Sequence, residues 1–381
     1  MKVAYISTAE VPSSRANSFQ VMKVCQAMVK LGHSVELYLP AGREVEWTEI
    51  AALYGLQESF PIVRLPSRQG FNRFDFIAAS LRKARRGQVD LIYSRMIWAA
   101  LFARQRGFAA VLEMHDLPHG RFAPAGYRAF LRRKPPKLTV YITEALRLLS
   151  NAQTGVSARE GEYLIAPDGV DLERYQHLPS PSQARQMLGL PERFTAVYSG
   201  SFYPGRGLEI LFPLAQAFPQ VHFIWIGGDS KQTAAWIEKL NTAGITNVTL
   251  TGFIPNQQIP LYQATADVLL MPFSRSFGGS SGGDTSRICS PLKTFEYLAT
   301  GRAILASDLP VMREVLNESN VCFYTPEDFD SLSNQFSKLI SDAQWRAKLA
   351  ATALENAAAY DWRRRMATIL EVISAQMEAK K

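Results

Sequence analysis

The chain has 381 residues, 47% of them hydrophobic and 20% charged, with 42 Lys and Arg against 34 Asp and Glu. That apolar content excludes a disordered chain, and the length predicts two or three domains of about 150 residues each. The longest apolar stretches, 96–103 and 268–273, fall short of the roughly 20 residues that a membrane helix needs.

The formal charge of +8 is lopsided. Residues 1–190 hold 25 basic and 16 acidic side chains, a net of +9, and residues 191–381 hold 17 and 18, a net of −1. Residues 60–137 alone hold 16 basic and 4 acidic. An anionic partner is therefore expected to meet the first half. Cys25, Cys289 and Cys322 are widely spaced and odd in number, which fits a reducing compartment and neither a disulfide framework nor a metal site.

In chain order, residues 2–7 read as a buried strand rather than a signal peptide, because the apolar run is short and turns polar at Ser7. An amphipathic helix follows over 18–31, with Ser18 as its cap, after a loop of small residues that includes Ser14, Arg15 and Asn17. That loop lacks G-x-G-x-x-G and does not look like a nicotinamide or flavin site; it suits a phosphate or an acceptor, and equally a plain helix-capping loop. Strands are predicted at 34–39, 62–65, 90–93, 109–114, 138–141 and 163–166, with helices near 74–86, 96–105, 123–133 and 143–150. Arg95 and the His115-Asp116 pair fall just past two of these strands. His115 there can shuttle a proton or bind a sugar hydroxyl, with Asp116 to orient it; an equal alternative is a histidine that merely caps its loop. Residues 176–190 carry Pro179 and Pro181 and read as a linker.

The alternation then restarts. Strands are predicted at 195–199, 222–226, 248–251, 268–271, 303–306 and 321–324, and helices at 207–217, 231–243, 257–264, 291–300, 310–317 and 327–340. The fold class is therefore α/β: two doubly wound, Rossmann-like domains over 1–175 and 191–358, facing one another across a central cleft. An amphipathic helix in 359–381 is expected to pack across the boundary.

Two segments of the second half carry chemistry. Gly200, Ser201 and Arg206 lie in a Gly-rich turn between a strand and a helix. Backbone N–H groups, the helix dipole and a planar cation there suit a diphosphate; the segment alone fits an ordinary strand-to-helix turn, with Gly for geometry, at least as well. The second segment runs from a loop of glycines and serines at 277–284 into Ser290-Pro291-Leu292-Lys293. Ser290 is the expected cap and Pro291 the first helical residue. Lys293 in a first turn opposes the helix dipole, which a bound anion would offset. Glu296 shares its face at i+3 and can accept bonds from two ribose hydroxyls; the plain alternative is a surface Lys–Glu pair. No cluster of His or carboxylates has metal spacing.

Gly32-His33-Ser34-Val35, Ala166-Pro167-Asp168-Gly169-Val170-Asp171, Thr251-Gly252-Phe253, Ala266-Asp267-Val268 and Ser290-Pro291-Leu292-Lys293…Phe295-Glu296-Tyr297-Leu298-Ala299…Gly301, in that order over nearly the whole chain, resemble the retaining nucleotide-sugar glycosyltransferases of the GT-B fold, family four or "group 1". The resemblance implies transfer of a glycosyl group from a nucleotide diphosphate sugar, with retention and no required metal or other cofactor. It places Arg206 where the family has a phosphate-binding Lys, Glu296 on the second Glu of E-x7-E, Phe253 and Ile254 by the nucleobase, Gly228 and Leu292 among the donor contacts, and His115 near the family's strand-end His. Two positions depart from the pattern: the family's phosphate-binding Arg is Ser201 here, and the first motif Glu is Ile288. Lys293 or Arg287 is expected to supply the missing charge, and Asp284 or backbone N–H groups of the Gly-rich loop to hold the sugar.

The expected partners are a nucleotide-sugar donor and a glycan or lipid-linked acceptor. The basic 60–137 stretch is read equally as a membrane-facing and as a solvated surface, and no nucleic-acid module is visible. The expected location is cytoplasmic, peripheral on the inner face of the membrane. The alternatives are a GT-B epimerase or phosphorylase, and a non-catalytic nucleotide-sugar-binding partner subunit.

Overall fold

The structure is a computed structural model that describes residues 1–68, 73–278 and 283–379. Gly279, Ser280, Ser281 and Gly282 of the Gly-rich loop, residues 69–72 of the basic stretch and the last two residues lie outside the described residues. The chain forms two compact units, one from Met1–Asp168 with the stretch from Trp362 onward, the other from Gly169–Asp361.

In the first unit, β1 (Lys2–Ile6), α1 (Ala16–Lys30), β2 (Ser34–Pro40), α2 (Trp47–Tyr54), β3 (Ile62–Leu65), α3 (Phe74–Arg86), β4 (Leu91–Ser94), α4 (Ile97–Gln105), β5 (Ala109–Met114), α5 (Ala123–Leu131), β6 (Lys137–Tyr141), α6 (Glu144–Thr154) and β7 (Tyr163–Ile165) alternate. The sheet order is β3-β2-β1-β4-β5-β6-β7, parallel throughout. Its central strands are apolar on both faces because helices cover both, as parallel sheets require.

The second unit opens with α7 (Pro181–Met187), then β8 (Thr195–Ser199), α8 (Leu208–Ala217), β9 (His222–Ile226), α9 (Ser230–Thr242), β10 (Val248–Gly252), α10 (Ile259–Ala264), β11 (Val268–Met271), α11 (Leu292–Thr300), β12 (Ala303–Ser307), β13 (Cys322–Tyr324), α12 (Phe329–Ser341) and α13 (Ala343–Ala357). Its order is β10-β9-β8-β11-β12-β13, again all parallel. Side chains alternate between two cores: Val197, Ile224, Leu269 and Ile304 join Phe295 and Leu298 of α11. Ala196, Tyr198, Trp225 and Leu270 join Leu211 of α8 and Phe336 of α12. Both sheets reverse their order between the first strand and the fourth, the switch point at which doubly wound folds bind ligands beyond the carboxyl ends of the strands.

Three expectations change. The stretch 176–190 is not a free linker: it contains α7, capped by Ser180 and Gln183. Arg185 of α7 bonds Asp267 and the Thr265 carbonyl at 3.0 Å, which fixes it to the second unit. The helix expected over 310–317 is only the 3-10 turn Met312–Glu314, because Leu309 and Val311 are taken into the core. The C-terminal helix α14 (Trp362–Glu378) belongs to the first unit, where it buries Met366, Ile369, Leu370 and Ile373. Gln376 on it accepts from the Lys137 amide at 2.8 Å and donates to the Gly161 carbonyl at 2.7 Å.

Candidate functional site

The carboxyl edge of the second sheet is built by close backbone approaches. Gly200 leaves β8 and Gly227 leaves β9, and a Cβ on Gly227 would fall 1.9 Å from the Gly200 carbonyl oxygen. Gly207 caps α8 at φ +101°, and a Cβ there would meet the Pro272 carbonyl at 2.0 Å. Gly228 leaves no more room, since a Cβ would fall 2.5 Å from the Phe202 ring. These glycines bring three strand ends and two helix N-termini, those of α8 and α11, into one edge, with their orphan N–H groups and positive dipole ends.

Lys293, in the first turn of α11, is one of two cations at this edge. Its Nζ is buried without a hydrogen-bond partner among the described residues. It lies 4.1 Å from the Tyr198 ring centre and 5.0 Å from that of Phe273. A Cβ on Gly200 would fall 2.6 Å from it. Burial pushes its pKa well below the usual lysine range, Arg206 pushes it the same way and Glu296 opposes. The ammonium is buried and hydrogen-bonds no carboxylate among the described residues, unlike a solvated surface Lys–Glu pair. Arg206 sits over Phe277 at 4.8 Å and over the same Phe273 at 5.3 Å, and donates to the Gly278 carbonyl at 2.7 Å. Two cations thus share one aromatic box. Ring contacts contribute about 0.5–2 kcal/mol each, less than the several kcal/mol it costs to bury an uncompensated charge. An anion at this edge would relieve both the burial and the mutual repulsion.

Glu296 accepts from Gln263 Nε2 at 3.3 Å. Gln263 in turn bonds Ser199 Oγ at 3.0 Å and accepts from Tyr175 at 3.1 Å, so the carboxylate is held at a fixed place. Phe253 is exposed and Ile254 packs on the core beside it. Ser201 and Arg287 are exposed, and the two cations over the rings of the aromatic box are Lys293 and Arg206. Ile288 is buried. Asp284 is turned into its own loop, accepting from the Ser286 amide at 2.9 Å and the Phe277 amide at 3.4 Å. Ser290 does not cap α11: Pro291 stands at the cap position and Leu292 opens the helix.

In the first unit, His115 does not turn to Asp116, which instead bonds His119 at 2.7 Å and the Leu117 amide at 2.9 Å. Its partner is Glu113, fully buried on the same strand, with Nε2 at 2.7 Å from Oε1. Oε1 also accepts from Gln20 Nε2 at 2.6 Å and from Arg365 Nη2 at 2.8 Å, and Oε2 accepts from Tyr93. Burial would raise the Glu113 pKa, but Arg365, His115 and Tyr93 together hold it well below the carboxylate range. Arg95 donates to Asn17 Oδ1 at 2.5 Å and Gln20 Oε1 at 3.3 Å, which joins it to the same network.

Ser18 lies inside the first turn of α1, not at its cap, and donates to the Glu10 carbonyl at 2.6 Å. Ser14 is exposed, and Arg15 is exposed and pairs with Glu10 at 3.6 Å. Contrary to the expectation that no such cluster exists, Glu113, His115 and Asp168 bring one ligand atom each within 4.8 Å of one another; Glu113 Oε1 already accepts from Gln20 and Arg365. Gln20, Tyr93, Glu113, Gln263 and Arg365 escape the sequence reading. Only Glu113 leaves a signal there, as a charge inside an apolar strand that must find partners.

Two parallel-sheet, Rossmann-like units define a GT-B type of protein. The comparisons with known proteins agree. A family model described as "Glycosyl transferases group 1" matches residues 193–342, and one described as "Glycosyl transferase 4-like domain" matches 18–181. The chain belongs to the group 1 glycosyltransferases. It is 24% identical over 377 residues to a phosphatidyl-myo-inositol mannosyltransferase of Mycolicibacterium smegmatis, covering 94% of this chain and 87% of that protein. Among solved structures it resembles Anabaena HepE in complex with UDP, at TM-score 0.75 and 19% identity over 98% of this chain and 100% of that one. It also resembles a sucrose-phosphate synthase of Thermosynechococcus elongatus, at TM-score 0.76 and 18% identity over the whole of both chains.

Proposed function

We propose that the chain moves a sugar from a nucleoside diphosphate sugar to a hydroxyl of a glycan or lipid-linked acceptor, with retention of anomeric configuration and without a required metal. The observation that carries this reading is the buried Lys293 ammonium, which has no hydrogen-bond partner among the described residues and shares an aromatic box with Arg206. A nucleoside diphosphate leaving group gains negative charge as its glycosidic bond breaks. Fixed cations and helix N-termini at that place stabilise the transition state more than the ground state. Lys293 and Arg206 take the part that a divalent metal plays elsewhere. Glu296 holds the ribose hydroxyls, Phe253 and Ile254 lie by the nucleobase, and His115 serves the sugar or the acceptor.

The test is turnover of a panel of UDP-, GDP-, ADP- and CDP-sugars with candidate acceptors, with the anomeric configuration of the product read by NMR. The expected result is transfer from one donor class with retention, unchanged by a chelator. Inversion, or loss of activity on chelation, contradicts the corresponding part.

A further inference from the structure

Glu113 is a carboxylate near the carboxyl end of an otherwise apolar strand, with no exposure to solvent. Such a charge is costly unless every lone pair is used, and four elements converge to use them: α1 through Gln20, β4 through Tyr93, α14 through Arg365, and the end of β5 through His115. An ionised carboxylate only accepts, so the ring nitrogen facing it, Nε2, must carry the proton. That leaves Nδ1 as the ring's one acceptor.

Arg365 does more than balance the charge. Its Nε donates to the Pro167 carbonyl at 2.7 Å and its Nη2 to the Ala166 carbonyl at 3.0 Å, so it also fixes the segment that carries Asp168. The charged and titratable groups facing His115 are Glu113, Arg95, Asp168 and, through Glu113, Arg365 and Tyr93. Burial and Arg95 lower the ring's pKa, against Asp168 and Glu113.

We infer that Glu113 and Arg365 are positioning residues: they hold His115 as the neutral Nε2–H tautomer in one orientation, so that Nδ1 accepts a hydrogen bond from a sugar or acceptor hydroxyl. The kinetic part rests on the transferase reading above; the tautomer does not. The arrangement makes α14 a working part of the site in the first unit, through a residue some 250 positions from its partner in sequence. In water an imidazole exchanges its ring proton freely and turns at will. Here Gln20 and Arg365 on one oxygen and Tyr93 on the other fix the carboxylate that in turn fixes the ring.

The first experiment is proton–nitrogen NMR of the full chain, tractable with five histidines, using His115→Gln to assign the ring. The expected result is a slowly exchanging, downfield ring proton on Nε2 of His115, with the ring taking up its second proton at lower pH than an ordinary histidine does. The signal should broaden or vanish in Arg365→Gln. A His115 ring proton on Nδ1, or one that exchanges as fast as that of an exposed histidine, overturns the inference whatever the enzyme's activity.

The second experiment is a double-mutant cycle between Glu113→Gln and His115→Ala, with circular dichroism confirming that each variant folds. Misplacing a reacting group by about 1 Å can cost about 10²-fold. Glu113→Gln is accordingly expected to lower kcat by about tenfold or more, with donor KM little changed, and to add little further loss on the His115→Ala background. Multiplicative losses would mean that Glu113 acts on the fold and not through His115.

Discussion

Lys293 lies between two aromatic faces with Arg206 close by, and its pKa is held well below the usual lysine range by burial. Only the protonated form attracts a diphosphate. Affinity for nucleoside diphosphates should therefore fall as pH rises through that lowered value, and Lys293→Met should remove the slope; calorimetric titrations across pH read both. Arg206→Ala is expected to lower kcat by about 10²–10³, as removal of one preorganised charge-stabilising donor does; an effect below about threefold would count against its role. The spacing of Lys293 and Glu296 on one helix face made both residues legible in the sequence, because i and i+3 are neighbours on any helix. The partners of His115 were not legible, since Gln20, Tyr93 and Arg365 reach it only through tertiary structure. The nearer Asp116 looked the better candidate, yet the strand's alternation puts residues two apart on one side, which favours Glu113.

At the scale of elements, the glycines that shape the donor edge differ in what they protect. Gly207→Ala would force a Cβ against the Pro272 carbonyl at positive φ and is expected to cost about 1–3 kcal/mol of stability, measured by urea unfolding. Gly200→Ala instead meets the ammonium end of Lys293 and the Tyr198 hydroxyl, so it should reduce nucleotide affinity by more than it reduces stability. The strands were legible because a parallel sheet covered on both faces leaves continuous apolar runs such as Val268–Met271. Their ends differ from the expected ones by a residue or so. The helices α2, α7 and α13 were missed: α7 hid behind prolines that turned out to open a helix, and α13 has little sequence contrast between its faces. The role of α14 could not be read either, although its amphipathic pattern could. Ile369→Ala, at a fully buried position on it, should cost about 2–5 kcal/mol, seen in the unfolding of the first unit.

For the whole molecule, part of the first half's charge surplus lies on exposed side chains of one helix. Arg82, Lys83, Arg85 and Arg86 are exposed on α3, and Phe74 and Phe122 are exposed near the same basic stretch. Lys137 does not contribute to it, being buried against Glu162. No helix among the described residues is long and apolar enough to cross a membrane. If the acceptor is lipid-linked, exposed cations at about 1 kcal/mol each should make the protein sediment with anionic vesicles and not with neutral ones; equal partitioning would contradict that. Stability should also fall in mild acid. Burial lowers the pKa values of His33, His115 and His222 in the folded state. Below about pH 6.5 the unfolded chain therefore takes up protons that the folded chain refuses, and the melting temperature should drop towards pH 5.5, less so in His115→Gln. The most direct measurement is isothermal calorimetry of UDP and GDP on the wild-type chain and on Lys293→Met. One of the two should bind the wild type and lose about 10- to 100-fold in the variant, the value of a charged hydrogen bond. Binding of equal strength to both proteins would contradict the donor site assigned to Lys293.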